Sequence, residues 1–356
     1  MRPFTGTVAI TGLNATDNPG PGVAFALALR RDPAFQGRIV GLAYDVLDPG
    51  LYLPHLLDAS FLIPYPSAGR DALLSRLEHV RSAVGLDVLV PNLDSELPAL
   101  MGHEDALLER GIATFLPTRG SFDARAKNRL DDLRAEHGIP VPEGEAISDP
   151  SPLYTAHERY GFPLVVKSGF YGARVCWSVD EAVRAFHALA AKWGLPICVQ
   201  RYVAGDEVNV CALGDGEGGT LGAVAMKKTV ITELGKGWAG VTIEDEALIE
   251  LARDVIRATR WRGPCEIEAI RDADGDTWLI EVNPRFPAWC DLCQGAGQNL
   301  PLATCRLAAG QPVAPFDPYQ PGIAFVRVST DLIVPIGALE ALTVAGESIP
   351  ASRRTA

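Results

Sequence analysis

Nowhere in the 356 residues do about 18 apolar side chains run together, so no segment reads as a membrane-crossing helix. The apolar run after Met1–Gly6 is short and broken by Gly and Thr, which argues against a signal peptide and for a cytoplasmic location. Positive charge is scarce. With 32 Lys and Arg against 44 Asp and Glu, the net charge is −12, and neither a nucleic acid nor an anionic membrane, which need clustered Lys and Arg, is expected as a partner. Any phosphate must be held locally. The seven cysteines are an odd number without framework spacing, as buried thiols in a reducing compartment would be. Cys290-x-x-Cys293 lacks the second pair or nearby His that a zinc or redox reading needs, and is read as packing. No internal repeat is evident, and the loop after the first strand is not a G-x-G-x-x-G: Gly12, Gly20 and Gly22 have the wrong spacing, and Pro19 and Pro21 remove donors that the pyrophosphate of NAD would need.

What remains is ample for a large core in two or three domains, at 47% hydrophobic and 21% charged residues. Strands are expected at Thr7–Leu13, Arg38–Tyr44, Ser60–Ile63 and Asp87–Pro91, with helices around Val23–Arg31, Ala72–Val84 and Glu96–Arg110. This alternation predicts an α/β domain with a doubly wound parallel sheet. Asp94 and Glu96 follow the fourth strand, where such sheets place ligand groups, although Asp94 or Ser95 capping the next helix is the favoured reading.

Pro117, Gly120 and Ser121 mark a linker, followed by a helix over Ala124–His137 that carries Lys127. A strand Pro163–Lys167 then ends in a lysine ahead of the turn Ser168–Arg174, with Gly169 and Gly172, and a second strand Val175–Trp177. A lysine ending a buried strand before a Gly-bearing turn suits a phosphate-holding cation. Taken singly, Lys127 and Lys167 read better as a solvated helix lysine and a strand-end lysine with its head in water. A helix over Asp180–Trp193 and a strand Pro196–Gln200 come next. Gln200–Val210 reads as strand, turn at Gly205, strand; Gly222–Lys228 is a strand ending in Lys227 and Lys228, and Glu244–Thr259 a helix. A helix near Leu300–Ala309, a Pro-rich connection, a strand Ile323–Ser329, a helix Ile336–Leu342 and a loose tail with Arg353 and Arg354 complete the chain.

The stretch with most chemistry runs from Cys265 to Arg285, a β-hairpin turning at Asp272–Gly275. Period-two alternation puts Glu266, Glu268 and Ile270 on one face of the first strand, and Leu279, Glu281 and Asn283 on the matching face of the second. Carboxylates that meet across a partly buried hairpin need a compensating cation. Every ligand offered is a hard oxygen, which suits Mg²⁺, and Arg285 follows within reach of a phosphate. A solvent-facing hairpin with Arg–Glu pairing would look the same in isolation.

Lys127, Lys167 with its glycine turn, Gln200-Arg201-Tyr202-Val203 with Glu207, Lys227 and Lys228, Glu268, and the run Glu281-x-Asn283-Pro284-Arg285 occur in one order. In that combination, over about residues 1–310, the chain resembles the ATP-grasp superfamily, and within it the carbamoyl-phosphate-synthase-like and biotin-carboxylase-like carboxylate–amine ligases. The resemblance implies a pre-ATP-grasp doubly wound domain at 1–118. After it would come an ATP-grasp fold of two α+β subdomains, 119–199 with the glycine turn and 200–315 with the metal site, and a strand–helix extension at 316–356. It implies that Lys127 and Lys167 contact the α- and β-phosphates of ATP beneath the Gly169–Gly172 turn. Gln200, Arg201, Tyr202 and Val203 would bracket adenine, Ile270 would pack on its ring, and Glu207 would accept from the ribose hydroxyls, with Lys227 also among the nucleotide contacts. Glu268, Glu281 and Asn283 would hold two Mg²⁺ ions, replaceable by Mn²⁺. Arg285 and Lys228 would be catalytic.

The implied reaction is attack of a carboxylate, such as that of an amino acid, on the γ-phosphate, then of an amine on the acyl-phosphate to form an amide. A peptide substrate fits as well. The alternative is activation of bicarbonate or a carboxylate, carboxylase- or kinase-like, without amide formation. No biotinyl-lysine motif or glutaminase domain is present. Homodimerisation through the first domain follows by analogy alone. Asp94, Glu96, Lys236, Trp238, Trp289 and Arg327 are candidate substrate contacts from their places near strand ends or after motif residues, and Arg327 could instead form a structural ion pair.

Overall fold

The runs Thr7–Ile10 (β1), Arg38–Ala43 (β2), Ala59–Leu62 (β3) and Val88–Val90 (β4) are apolar on both sides, and such strands are stable where both faces of the sheet are covered. The computed structural model describes residues 2–15, 19–169, 171–233 and 235–350, and in it these strands form a parallel sheet in the order β3-β2-β1-β4. Helix Pro21–Arg30 covers one face through Phe25 and Leu29, and helix Arg70–Val84 the other through Leu73, Leu77 and Val80. The first helix starts tight against the strand end. A Cβ on Gly22 would lie 2.2 Å from the Thr11 carbonyl oxygen, and the Gly20 and Gly22 amides donate back to Asn14 and Gly12 within the loop.

Two expectations fail just beyond β4. The helix expected over Glu96–Arg110 is two short ones, Leu97–Met101 and Glu104–Glu109, because Gly102 interrupts it. Neither Asp94 nor Ser95 caps the first of them; Glu96 occupies the cap position and makes no side-chain capping bond. Its carboxylate is instead buried, accepting from Thr11 Oγ1 at 2.6 Å. Burial pushes the Glu96 pKa up to about 7, only partly offset by the Thr11 bond. A raised carboxyl pKa contributes stability that is complete below the ordinary carboxylate range and lost as pH rises through about 7. Glu96→Gln should therefore be more stable than the parent at pH 8, by roughly 2–3 kcal/mol, and equal to it at pH 4, as denaturant melts at the two pH values would show.

The helix expected over Ala124–His137 is also broken, into Arg119–Ala124, a tight turn at Lys127–Arg129, and Leu130–His137. Lys127 thus sits on a turn rather than a helix. An antiparallel sheet follows, in the order β5-β8-β6-β7: Gly144–Ile147 (β5), Leu164–Ser168 (β6), Ala173–Cys176 (β7) and Ile197–Arg201 (β8). Helix Val179–Trp193 closes its core with Ala182, Phe186 and Leu189.

The last sheet is antiparallel throughout, in the order β13-β12-β9-β10-β11-β14: Asp206–Asp215 (β9), Thr220–Ile231 (β10), Gly237–Thr242 (β11), Arg262–Arg271 (β12), Thr277–Asn283 (β13) and Ala324–Val326 (β14). Helix Glu246–Thr259 packs on one face against Val208, Val210, Ile267 and Ala269. On the other face Cys211, Leu213, Val224 and Met226 join the cluster that holds helix Pro21–Arg30 and Phe286, and the Phe25 and Phe286 rings meet edge to face at 5.5 Å. One core therefore ties this sheet to the first. Glu347–Ser348 (β15) pairs with β3 at the far edge of the first sheet. Each of the seven cysteines is buried and free of disulfide bonds, and among the described residues no helix is long and apolar enough to cross a membrane. Phe170 and the tail with Arg353 and Arg354 lie outside the described residues.

The expected hairpin is present with one difference. Glu266 faces Asn283, Ile267 faces Val282 and Glu268 faces Glu281, but Ala269 then faces Leu279, so Ile280 is a bulge. The extra residue reverses the alternation. Leu279 is turned into the core with Ala269 and Val282, and Trp278 takes the place opposite Ile270.

Candidate active site

Period two along the last sheet brings Glu207 and Asn209 of β9, Lys228 of β10, Glu266 and Glu268 of β12, and Glu281 and Asn283 of β13 to the face turned towards the first sheet. Much of this face lines a cavity of about 470 Å³, together with Asp94, Lys127, Arg285 and Trp289. Glu268 and Glu281 are direct cross-strand partners there. Each is met by a lysine: Lys127 Nζ lies 3.0 Å from Glu281 Oε2, and Lys228 Nζ lies 3.7 Å from Glu268 Oε2 and 3.0 Å from Glu207 Oε2. Burial raises the Glu281 pKa against the pull of Lys127, with Glu268 adding to the rise. For Lys228 burial works against the ammonium, but Glu268, Glu207 and Glu266 outweigh it and raise its pKa.

Glu266 is the hub of the site. Its Oε1 accepts from Asn209 Nδ2 at 3.1 Å and Trp289 Nε1 at 2.8 Å, and its Oε2 from Asn283 Nδ2 at 3.2 Å, with Arg285 Nη1 3.5 Å away. Burial, with Glu268 next to it, pushes its pKa up to about 7. Asn283 also donates to Glu268 Oε1 at 2.7 Å, so one amide sets the rotamers of two carboxylates. Arg285 is held from the other side by Asp94, whose Oδ1 accepts from Nε at 2.8 Å. This contact joins the loop after β4 to the end of β13. Burial would lower the Arg285 pKa, but Asp94 and Glu266 reverse that and keep it charged.

A second cavity of about 230 Å³ lies alongside, and Lys127 lines both. Lys167 and Gln200 line this one. Lys167 is buried at the end of β6, donating to Gln200 Oε1 at 2.8 Å and to the Ile280 carbonyl at 3.4 Å. Gln200 donates in turn to the Pro142 carbonyl at 2.8 Å. Burial lowers the Lys167 pKa to about 8, and among the described residues no carboxylate hydrogen-bonds to the ammonium. The turn between β6 and β7 reaches over the first cavity, which Tyr171 and Gly172 help to line; Gly172 has φ +90°, and the Ser168 amide donates to its carbonyl at 3.1 Å.

This architecture has known counterparts. Residues 195–330 match the family model described as "ATP-grasp in the biosynthetic pathway with Ter operon". A D-alanine–D-alanine ligase from Chromohalobacter salexigens is 27% identical over 228 residues, 56% of this chain and 69% of that enzyme. A phosphoribosylamine–glycine ligase from a Synechocystis species is 33% identical over 127 residues, 34% of this chain and 30% of that enzyme. The fold superposes on the biotin carboxylase–βγ-ATP complex of Campylobacter jejuni with a TM-score of 0.69 at 16% identity, covering 87% of this chain and 72% of that one. The sequence match to an ATP-grasp family spans residues 195–330, and over most of the chain the likeness is one of fold.

Several residues that the ATP-grasp resemblance singles out are not in either cavity. Lys227 points to the opposite face of β10 from Lys228 and pairs with Asp206 at 2.6 Å, half exposed. Arg201 stacks on Trp278 at 4.7 Å, Tyr202 is open to solvent, and Val203 is buried, all three at the crossover from β8 to β9. Ile270 sits at the far end of β12 opposite Trp278, and Gly169 is half-buried with no described atom within 4 Å of where a Cβ would stand. Among the candidate substrate contacts, Lys236, Trp289 and Arg327 line the 470 Å³ cavity and Trp238 lines a neighbouring one, whereas Glu96 is sealed under Thr11.

Sequence reasoning missed the parts that depend on tertiary contact. Arg125 lies over the Phe122 ring at 4.1 Å with its Nε unpaired, and Asp94 and Glu281 act on its charge. Nothing in its spacing marks it. Glu266 was visible as a carboxylate on the right face, but not as the group that orients Asn283 and Arg285. The split between the two neighbouring lysines has a direct consequence. Lys228→Ala should lower ATP-dependent turnover about tenfold, since its three carboxylate neighbours dilute what it can give a phosphate, and Lys227→Ala should stay within about twofold, as steady-state phosphate release would show.

Proposed function

We propose that the protein is an ATP-dependent carboxylate–amine ligase working through an acyl-phosphate. The observation that carries this is the opposed Glu268–Glu281 pair, with Asn283 beside it and Lys127, Lys228 and Arg285 around it, in a cavity that adjoins the one holding Lys167.

The donor set fits Mg²⁺, because Glu268, Glu281 and Asn283 offer hard oxygens and the two carboxylates are already compensated by lysines standing near them. Among the described residues no three His, Cys, Asp or Glu side chains form a ready-made metal cage. When bound, the ion would screen charge on the transferring phosphoryl group.

In the first step a carboxylate oxygen of the substrate bonds to the γ-phosphorus of ATP, and the bond to the ADP oxygen breaks. In the second the amine nitrogen bonds to the acyl carbon, phosphate leaves with the acyl–oxygen electron pair, and the amine gives up a proton. Lys127 and Lys167 position the phosphates, Arg285 faces the charge that develops on the acyl-phosphate, and Asp94 and Glu266 keep Arg285 in place. Tyr171 and Gly172, over the cavity, help to exclude water from an intermediate that water would destroy.

A screen of carboxylate and amine pairs for phosphate release, with mass spectrometry of the products and Glu281→Ala as control, tests the reading. Phosphate release that requires both substrates and yields an amide is the expected result. Release with a carboxylate or bicarbonate alone, and no amide, would place the chain among enzymes that activate the acid only.

A further inference from the structure

Beside the carboxylate cavity opens a larger one, of about 820 Å³. Leu13, Tyr52 and Leu53 of the first domain form one wall, the C-terminal segment Val328–Val334 with Leu339 the other, and Trp238 of β11 stands between them. Asn14 and Pro19 line both cavities. Chain neighbours also divide between the two: Gly237 and Arg327 line the smaller, Trp238 and Val328 the larger. They are therefore adjoining parts of one cleft.

The larger part is mostly apolar. Four large apolar side chains on its wall are left open to solvent, Leu47 at 70%, Val328 at 81%, Leu332 at 38% and Ile333 at 94%. Apolar surface gathered at one concave place is what a ligand pocket presents, and the volume suits a group far larger than a methyl. At the junction the chemistry becomes cationic. Arg327 is fixed there by donating to the carbonyls of Gly237 at 3.1 Å and Ala288 at 2.6 Å, and Lys236 lies next to it. Asn14, in the shared wall, has its Oδ1 without a hydrogen-bond partner among the described residues.

We propose that this cavity receives the side group of the substrate, and that the substrate is a carboxylate carrying a bulky apolar group. Its carboxylate lies against Arg327 and Lys236, and its apolar body against Trp238, Leu53 and the 328–339 segment. The inference rests on the ligase reading, which supplies the reason for a carboxylate to sit where the two parts of the cleft meet.

The test is isothermal titration of the full chain, with Mg·ADP present, using glycine, leucine, phenylalanine and 3-phenylpropionate as probes. The apolar probes are expected to bind at least tenfold more tightly than glycine. Leu332→Trp, which fills the cavity from an exposed wall, is expected to remove that preference, with ADP affinity as the check that the variant is folded. Equal binding of all probes, binding of none, or a preference that Leu332→Trp leaves in place overturns the proposal. So does a dimer that Leu332→Trp splits in size-exclusion runs, since a second copy would then be what covers the patch. The ligase reading fails on a different measurement, the absence of Mg·ATP-dependent phosphate release.

Discussion

Replacing Glu281 by glutamine is expected to lower kcat for Mg·ATP-dependent phosphate release about a thousandfold, which is roughly 4 kcal/mol of transition-state stabilisation. Glutamine keeps the shape and an acceptor for Lys127, now 3.0 Å from Oε2, so the change removes one charge and little else. That charge faces Glu268 across the hairpin, where a divalent ion would bridge protein and phosphate, and screening of a transferring phosphoryl group is worth several kcal/mol. Stability should hold, because burial already raises the Glu281 pKa and the folded protein gains little from its ionised form. A titration of rate against Mg²⁺ at saturating ATP gives the decisive reading: the parent should saturate and the variant should not. Turnover within tenfold of the parent would mean that the Glu268–Glu281 pair is not the metal site.

The hairpin that carries this pair was legible because strand alternation is local: Glu266 and Glu268 share a face of one strand, and Glu281 and Asn283 share a face of the other. The bulge at Ile280 was not, since an extra residue leaves no compositional trace, and so Leu279 was assigned to the wrong face. The apolar strands β1–β4 stood out, whereas β5, β11 and β15 did not, being an edge strand, a strand rich in glycine and a two-residue pairing. Helices over-extended at Glu96–Arg110 and Ala124–His137 show the same limit, because composition alone did not weigh Gly102 or the turn at Lys127. The Asp94–Arg285 contact joins residues 191 apart, and the choice between ligand-facing roles for Asp94 and Glu96 and a capping role for Asp94 or Ser95 turns on partners that only the fold supplies. Identity of the cationic and acidic groups could be read from the chain. Their pairing could not.

Lys167→Met should weaken Mg·ATP binding about a hundredfold, and the parent itself should lose affinity as pH rises through about 8. Lys167 is buried, and both groups that accept from it, the Gln200 amide oxygen at 2.8 Å and the Ile280 carbonyl, are neutral, so burial dominates and lowers its pKa. Phosphate oxygens need the ammonium form, so each pH unit above that pKa should cost up to about tenfold in affinity through this contact. The sign for folding is opposite. A lysine whose pKa falls below its unfolded value of about 10.4 makes the folded state more stable as pH climbs from about 8 to 10.4, because the unfolded chain then holds the extra proton. Gln200→Glu separates the two effects: a carboxylate 2.8 Å from the ammonium should hold Lys167 charged and move the alkaline fall in affinity up by at least about one pH unit. Titrations of ATP affinity between pH 6.5 and 10 on the parent, Gln200→Glu and Lys167→Met check this. The first two should differ in the position of the fall, and the third should show none near pH 8. An alkaline fall that Lys167→Met retains would assign it to another group and remove Lys167 from the phosphate contacts.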